Sequence, residues 1–266
     1  MDYEGAVLDL DGTVYRGDKP ISGALEAIER FRTAGIEPLF FSNNPTKSRE
    51  AYTERLGGFG LDVDPGAVLS AGTVTTRYLV AEHADDTVFL IGDDGLRAQF
   101  EAEGVDLAAD PTEADVLVAS WTRAFEYDDM VAGYEALRSG ATFYATDPDR
   151  LIPAAEGMTP GSGAIVNAVG GPLDRDPKKT LGKPSTEARR AALDALGCPA
   201  ERCFVVGDRL NTDIELGERA GMTTVLVRTG IATDDDVSES AVQPDYVADS
   251  LADVPEVLEL GGTPGS

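Results

Sequence analysis

The most constraining feature of this chain is a repeated alternation. Apolar runs of strand length are followed by amphipathic segments of helix length. GAVLDL (5–10) reads as a short buried strand ending in acids. SGALEAIERFRTAG (22–35) places Leu25, Ile28 and Phe31 on one helical face, with Ser22 as its expected cap and Gly35 as its end. IEPLFFSNN (36–44) is a second strand running into a polar turn, followed by a helix in TKSREAYTERLGGFG and a third strand in AVLSAG. The C-terminal part repeats the pattern. STEARRAALDALG (185–197) is a helix capped by Ser185, RCFVVGDRLNTD (202–213) a strand and polar turn, IELGERAG (214–221) a helix, and TTVLVRTG (223–230) a strand. DYVADS adds one more. Such alternation predicts an α/β fold, a doubly wound parallel sheet covered by helices in the Rossmann manner.

Between these halves lie TVFLIGDDGLRAQFEAEG, ADVLVAS, a helix around 128–139 and ATFYATDPD. They read as a second, smaller α/β module at 75–178, inserted between outer segments 1–74 and 179–266. The tail GGTPGS reads as a frayed end.

Composition narrows the function classes. The 266 residues carry 48 acids against 22 Lys and Arg, a formal charge of −26. A surface of that sign repels nucleic acid and anionic membranes. The acids are spread along the chain, which points to a protein of a salt-rich, halophilic cytoplasm, where screening shortens the reach of self-repulsion to about 3 Å at molar salt. No apolar run approaches the roughly 18 residues of a membrane span, and the N-terminus lacks the pattern of a signal peptide. The expected location is cytoplasmic. Cys198 and Cys203 make neither a disulfide framework nor a zinc site, and Cys203 is expected in the core. The sole histidine, His83, lies in a polar stretch and is expected at the surface.

Four polar clusters sit where strands end, the position at which open parallel sheets bind ligands. Asp9 and Asp11 flank Leu10 and so share one face of an extended segment. Carboxylates that close repel unless a cation or a shared proton intervenes; the plainer alternative is that they cap the turn at Gly12. Asp208 ends VVGD and Asp213 follows five residues later. An oxygen-only set suits a hard cation such as Mg²⁺, while helix capping is the competing role. Ser42-Asn43-Asn44 presents a hydroxyl and N–H groups that could hold phosphoryl oxygens, or form a plain turn. Lys183, before Pro184, could neutralise a transferring phosphoryl group or lie in solvent.

Taken together, Asp9-Leu10-Asp11-Gly12-Thr13-Val14, Ser42, Lys183 and Gly207-Asp208 with Asp213 resemble the four motifs of the haloacid dehalogenase (HAD) superfamily, in their order. VYRGDKPISGA and FFSNNPTKSRE resemble its p-nitrophenylphosphatase-type subclass IIA, which inserts an α/β cap of the C2 type between the second and third motifs. The resemblance implies a phosphomonoester hydrolase acting on small phosphorylated metabolites, such as sugar phosphates, nucleotides or p-nitrophenyl phosphate. It implies Asp9 as nucleophile and Asp11 as acid and base. Asp9, Asp208 and the backbone carbonyl of Asp11 would hold Mg²⁺. Ser42 and Lys183 would bind phosphoryl oxygens, Asn43 would lend a backbone N–H, and Asp213 would orient Lys183 or a water of the metal. Caps of this subclass can also supply homo-oligomer contacts.

Departures from the family pattern concentrate in the cap. Ser120-Trp121-Thr122-Arg123 replaces a glycine-led stretch, and Asp147 stands in Thr146-Asp147-Pro148-Asp149 where asparagine is frequent. Trp121, Arg123, Asp147 and Asp149 are therefore the expected specificity positions, with burial in the cap core as the alternative for Trp121. Competing readings are transfer of the phosphoryl group to another acceptor, dehalogenation, and a non-catalytic binding module on the same fold.

Overall fold

The structure is a computed structural model, and it describes residues 2–154 and 157–260; the tail GGTPGS lies outside them. Its strands, in chain order, are β1 (Gly5–Leu8), β2 (Tyr15–Arg16), β3 (Lys19–Pro20), β4 (Glu37–Ser42), β5 (Val68–Ser70), β6 (Val88–Ile91), β7 (Val116–Ala119), β8 (Thr142–Ala145), β9 (Leu151–Ala154), β10 (Gly157–Pro160), β11 (Lys179–Thr180), β12 (Cys203–Gly207), β13 (Thr223–Val227) and β14 (Tyr246–Ala248). The helices are α1 (Ala24–Thr33), α2 (Arg49–Gly58), α3 (Ala71–Glu82), α4 (Asp94–Ala102), α5 (Tyr127–Ser139), α6 (Ser162–Gly170), α7 (Thr186–Leu196), α8 (Glu215–Ala220), α9 (Asp234–Glu239) and α10 (Val254–Val257). The chain forms two compact units. The first comprises Met1–Ser42, Tyr52–Leu69 and Ala188–Ser266; the second comprises Asn43–Ala51 and Ser70–Glu187.

The first unit is built on a six-stranded sheet ordered β14-β13-β12-β1-β4-β5. β1 pairs in parallel with both β4 and β12, and β12, β13 and β14 are parallel in turn. After β1 the chain moves outward on one side, through β4 and β5. It later resumes at β12 on the other side, so the order reverses between β1 and β12. That reversal opens a crevice at the strands' carboxyl ends. β1 is buried at every position because helices cover the sheet. Ile28 and Phe31 of α1 and Tyr52 and Leu56 of α2 join Leu8, Phe40 and Phe204 in the main core. Phe204 meets Tyr3 and Phe31 edge to face, with centroids 5.2 and 5.3 Å away. On another face, Gly217 of α8 lets that helix close on β12: a Cβ there would lie 2.3 Å from Val205 Cγ1.

The second unit holds a four-stranded parallel sheet ordered β11-β8-β7-β6, and the antiparallel hairpin β9-β10. Successive side chains of β7 point to opposite faces. Leu117 and Ala119 pack with Leu137 of α5 and Ile165 and Val169 of α6. Val116 and Val118 pack with Leu79 of α3 and Leu96 and Phe100 of α4.

Two local expectations are revised. Ser22 does not cap α1, which begins at Ala24 behind a left-handed Gly23 with no side-chain cap bond. His83 is half-buried rather than a surface residue: Nδ1 is 2.6 Å from Asp86 Oδ2 and Nε2 is 3.0 Å from the Tyr144 hydroxyl. A ring with two polar partners can be buried where its sequence neighbours are polar. Gly35, at φ +78°, does end α1 as expected.

Phe31→Ala leaves a void against Phe204 and should lower unfolding free energy by about 3–5 kcal/mol, read from the urea midpoint.

Candidate active site

Asp9 and Asp208 directly follow β1 and β12, the two strands on either side of the reversal. Their pairing extends one step beyond the strands, where Asp9 N donates to Val206 O at 2.9 Å. The register Leu8↔Val206 therefore fixes both acids at one crevice. Asp213 lies in the widened helical turn Leu210–Ile214 that follows. Asp9, Asp208 and Asp213 each offer an oxygen within 4.8 Å of the other two, and all three residues are buried, 8%, 2% and 1% exposed. The Asp11 carboxylate is outside this group, and Asp11 is exposed.

Glycines make the close approach physically possible. Gly12, at φ +98°, occupies a backbone region that other residues rarely enter, and a Cβ there would sit 2.5 Å from Asp208 Oδ2. A Cβ at Gly230 would be 1.8 Å from the same oxygen. With both side chains absent, Ile231 N donates to Asp208 Oδ2 at 2.9 Å. Arg209 N donates to Asp213 Oδ2 at 3.2 Å, and the Thr229 hydroxyl donates to Gly12 O at 2.6 Å. The Thr13 hydroxyl reaches toward Asp9 Oδ2 at 3.4 Å.

Ser42 closes β4, the strand beside β1, and is 3% exposed. It is hydrogen-bonded to Tyr52, whose phenol is pushed above its ordinary value by burial, an effect the bond to Ser42 partly opposes. Burial also pushes the Tyr15 phenol up, helped by the Asp11 charge.

Asn43 and Lys183 belong to the second unit, where the Asn43 side chain clamps the Lys183 backbone. Lys183 N donates to Asn43 Oδ1 at 2.8 Å, and Asn43 Nδ2 donates to Lys183 O at 3.2 Å. Lys183 is 1% exposed. The preceding Gly182 N donates to Thr146 O at 2.6 Å. Also in this unit, Trp121 and Arg123 line a cleft of about 420 Å³ with Phe125, Thr159 and Pro160, and the Trp121 indole N–H donates to Pro160 O at 3.3 Å. Asp147 and Asp149 are buried and do not line that cleft. Asp147 Oδ2 accepts from the Thr146 and Ser162 hydroxyls at 3.0 and 2.5 Å, and Oδ1 accepts from Asp149 N at 3.2 Å. Burial, followed by the neighbouring Asp149 charge, pushes the Asp147 carboxyl up to about 7.

Sequence reasoning missed Gly230 and Ile231 beside Asp208, Tyr52 beside Ser42, and the use of the Asn43 side chain. The first had a signal in the Thr229-Gly230 pair that ends an apolar strand. Tyr52 meets Ser42 only through the packing of α2 on the sheet, and the Asn43 contact joins segments 140 residues apart.

The cluster of Asp9, Asp208 and Asp213 passes the chemical test for a hard divalent cation. Its donors are carboxylate oxygens only, brought together in a buried site where their mutual repulsion needs a compensating charge.

Comparison with known proteins gives the same class. The haloacid dehalogenase-like hydrolase family model matches residues 6–106, and a second HAD-hydrolase-like model matches 180–254. The chain is 34% identical to the sugar-phosphatase AraL of Bacillus subtilis, over 97% of this chain and 94% of that one. It is 33% identical to an acid sugar phosphatase of Staphylococcus epidermidis, over 92% and 93%. Among solved structures it is similar to a p-nitrophenyl phosphatase from Archaeoglobus fulgidus, with TM-score 0.90, 35% identity, and 97% and 100% of the two chains covered. It is likewise similar to a 4-nitrophenylphosphatase from Thermotoga maritima, with TM-score 0.89, 32% identity, and 96% and 97% covered. The chain belongs to the haloacid dehalogenase-like hydrolases. Within them it is a phosphatase of the p-nitrophenylphosphatase-type subclass.

Asp147 gives a pH prediction. Its folded value lies above the unfolded one, so from about pH 4 to about pH 7 the folded chain keeps a proton that the unfolded chain has lost, and stability falls as pH rises through that window. Asp147→Asn removes that slope. Its melting temperature relative to the parent should rise from about pH 4 to about pH 7 and then level off.

Proposed function

We propose that this phosphatase hydrolyses small phosphomonoesters at the Asp9 carboxylate, through an aspartyl-phosphate, with Mg²⁺ as cofactor. The observation that carries the proposal is the buried grouping of Asp9, Asp208 and Asp213 at the carboxyl ends of β1 and β12. A phosphomonoester dianion repels a carboxylate nucleophile. Mg²⁺, when bound by Asp9, Asp208 and the backbone carbonyl of Asp11, with Asp213 beside it, would offset that repulsion. Asp9 attacks phosphorus. Asp11 protonates the departing oxygen, and its exposure leaves it able to exchange that proton with solvent. The same carboxylate then removes a proton from the water that hydrolyses the acyl phosphate. Ser42 and Lys183 are assigned to phosphoryl oxygens by their motif positions, and the Tyr52 hydrogen bond restricts the Ser42 hydroxyl. The Asn43 clamp does the same for the Lys183 backbone. Asp213 would orient Lys183 or a water of the metal.

Residues 75–178 are read as the cap and 1–74 with 179–266 as the catalytic core. Trp121 and Arg123, with Asp147 and Asp149, are assigned to substrate choice. The relatives named as sugar phosphatases favour sugar phosphates over nucleotides. Among the described residues no helix is long and apolar enough to cross a membrane. The charge of −26 supports a salt-rich cytoplasmic setting without nucleic acid or membrane partners, and the cap is the assigned surface for any homo-oligomer.

Asp9→Asn should lower turnover of p-nitrophenyl phosphate by about a thousand-fold or more while the melting temperature stays near the parent's. Retention of parental turnover would refute Asp9 as nucleophile. EDTA should reduce activity to background and Mg²⁺ should restore it; steady release of inorganic phosphate without an added acceptor separates hydrolysis from phosphoryl transfer.

Trp121→Ala and Arg123→Ala should change kcat/KM unequally across a panel of sugar phosphates and nucleotides, with unaltered Mg²⁺ dependence. A uniform loss on every substrate would count against a specificity role.

A further inference from the structure

Cys198 and Cys203 lie outside the chemistry described above, at the opposite ends of the strands. Cys203 opens β12, and Cys198 lies in the turn after α7. Their Sγ atoms are 3.2 Å apart, about 1 Å more than the roughly 2.05 Å of a disulfide bond. Both thiols are free in this structure. Gly5, paired with Cys203 across the ladder, has no side chain to part them: a Cβ there would be 3.0 Å from Cys198 Sγ and 3.1 Å from Cys203 Sγ. The two sulfurs therefore share one small space roofed by glycine. They also differ in access. Cys198 is half-buried, whereas Cys203 is 0% exposed and its thiol donates to Pro199 O at 3.3 Å.

We propose that Cys198 and Cys203 form a reversible intramolecular disulfide, with Cys198 as the entry thiol and Cys203 as the resolving thiol. The oxidant class is a low-molecular-weight disulfide, RSSR. The Cys198 thiolate attacks one sulfur of RSSR, the S–S bond breaks, and RS⁻ leaves and is protonated. The Cys203 thiol then loses its proton to solvent and attacks the Cys198 sulfur of the mixed disulfide, expelling the second RS⁻. Two protein thiols are oxidised and RSSR is reduced to two RSH. Burial and the Cys198 contact push the Cys203 thiol up to about 12, which makes the second step the slow one and keeps Cys203 from reacting first. The bond would close the short segment Cys198–Cys203 and tie the end of α7 to the start of β12. Asp208 lies five positions along from Cys203, roughly 16 Å at strand rise, so oxidation leaves the carboxylate cluster in place.

The intact protein is equilibrated with oxidised glutathione, then alkylated and digested with trypsin. Trypsin cleaves after Arg202, between the two cysteines. The expected product is the peptide 191–202 joined to 203–209, separated by dithiothreitol, with the whole chain about 2 Da lighter and no titratable thiol left. Cys203→Ser should instead stop at a stable glutathione adduct on Cys198. The oxidised parent should melt several degrees higher than the reduced one, and p-nitrophenyl phosphate turnover should change less than two-fold. Two titratable thiols after equilibration, glutathione adducts on the parent, or cross-links between chains would each overturn the proposal. None of these readings depends on the assignment of Asp9.

Discussion

Three buried carboxylates within 4.8 Å of one another are the constraint around which the first unit is arranged. Left to themselves they would separate or take up protons. The surrounding backbone holds them instead, at the ends of two adjacent parallel strands and in the turn that follows one of them. The absence of side chains at Gly12 and Gly230 leaves room for the Asp208 carboxylate, whose Oδ2 accepts from the Ile231 amide, while the Arg209 amide donates to Asp213 Oδ2. Amide donors of this kind fix the direction of a carboxylate without adding charge of their own.

The sheet supplies position, and the reversal of strand order supplies the opening. Apolar residues in β1, β4 and β12 make the strands rigid from both faces. The acids begin where that burial ends. The second unit applies the same layering at smaller size, with alternate residues of β7 feeding two separate cores. Its polar groups include the Asn43–Lys183 clamp, a hydroxyl and carboxyl network around Asp147, and the cleft beside Trp121.

Much of this was legible in the sequence because strands and helices leave different periods. The runs ending in Asp9, Ser42 and Asp208 announce both the strand and the place where it stops. The reasoning lost power where contacts join distant segments. His83 looks exposed in AEHADD, yet the hydroxyl of Tyr144, far along the chain, meets its ring and leaves it half-buried. Ser22 looks like a cap, yet the chain turns at left-handed Gly23 and needs none. Asp213, five residues after Asp208, places a carboxyl oxygen within 4.8 Å of those of Asp9 and Asp208. The spacing points to a shared oxygen-only set, but not to the widened turn, in place of a regular helix, that carries the residue.

The Asn43 amide has a wider consequence. It accepts from the N–H of Lys183 and donates to the C=O of the same residue, so one side chain imitates a rung of a β-ladder. A carboxamide carries both functions on one planar group. Aspartate would set two acceptors face to face, and leucine would leave two buried polar groups unmatched. A saturation scan would accordingly mark this position as intolerant, with a profile easily mistaken for that of a group in the reaction, although its observed work is to imitate backbone.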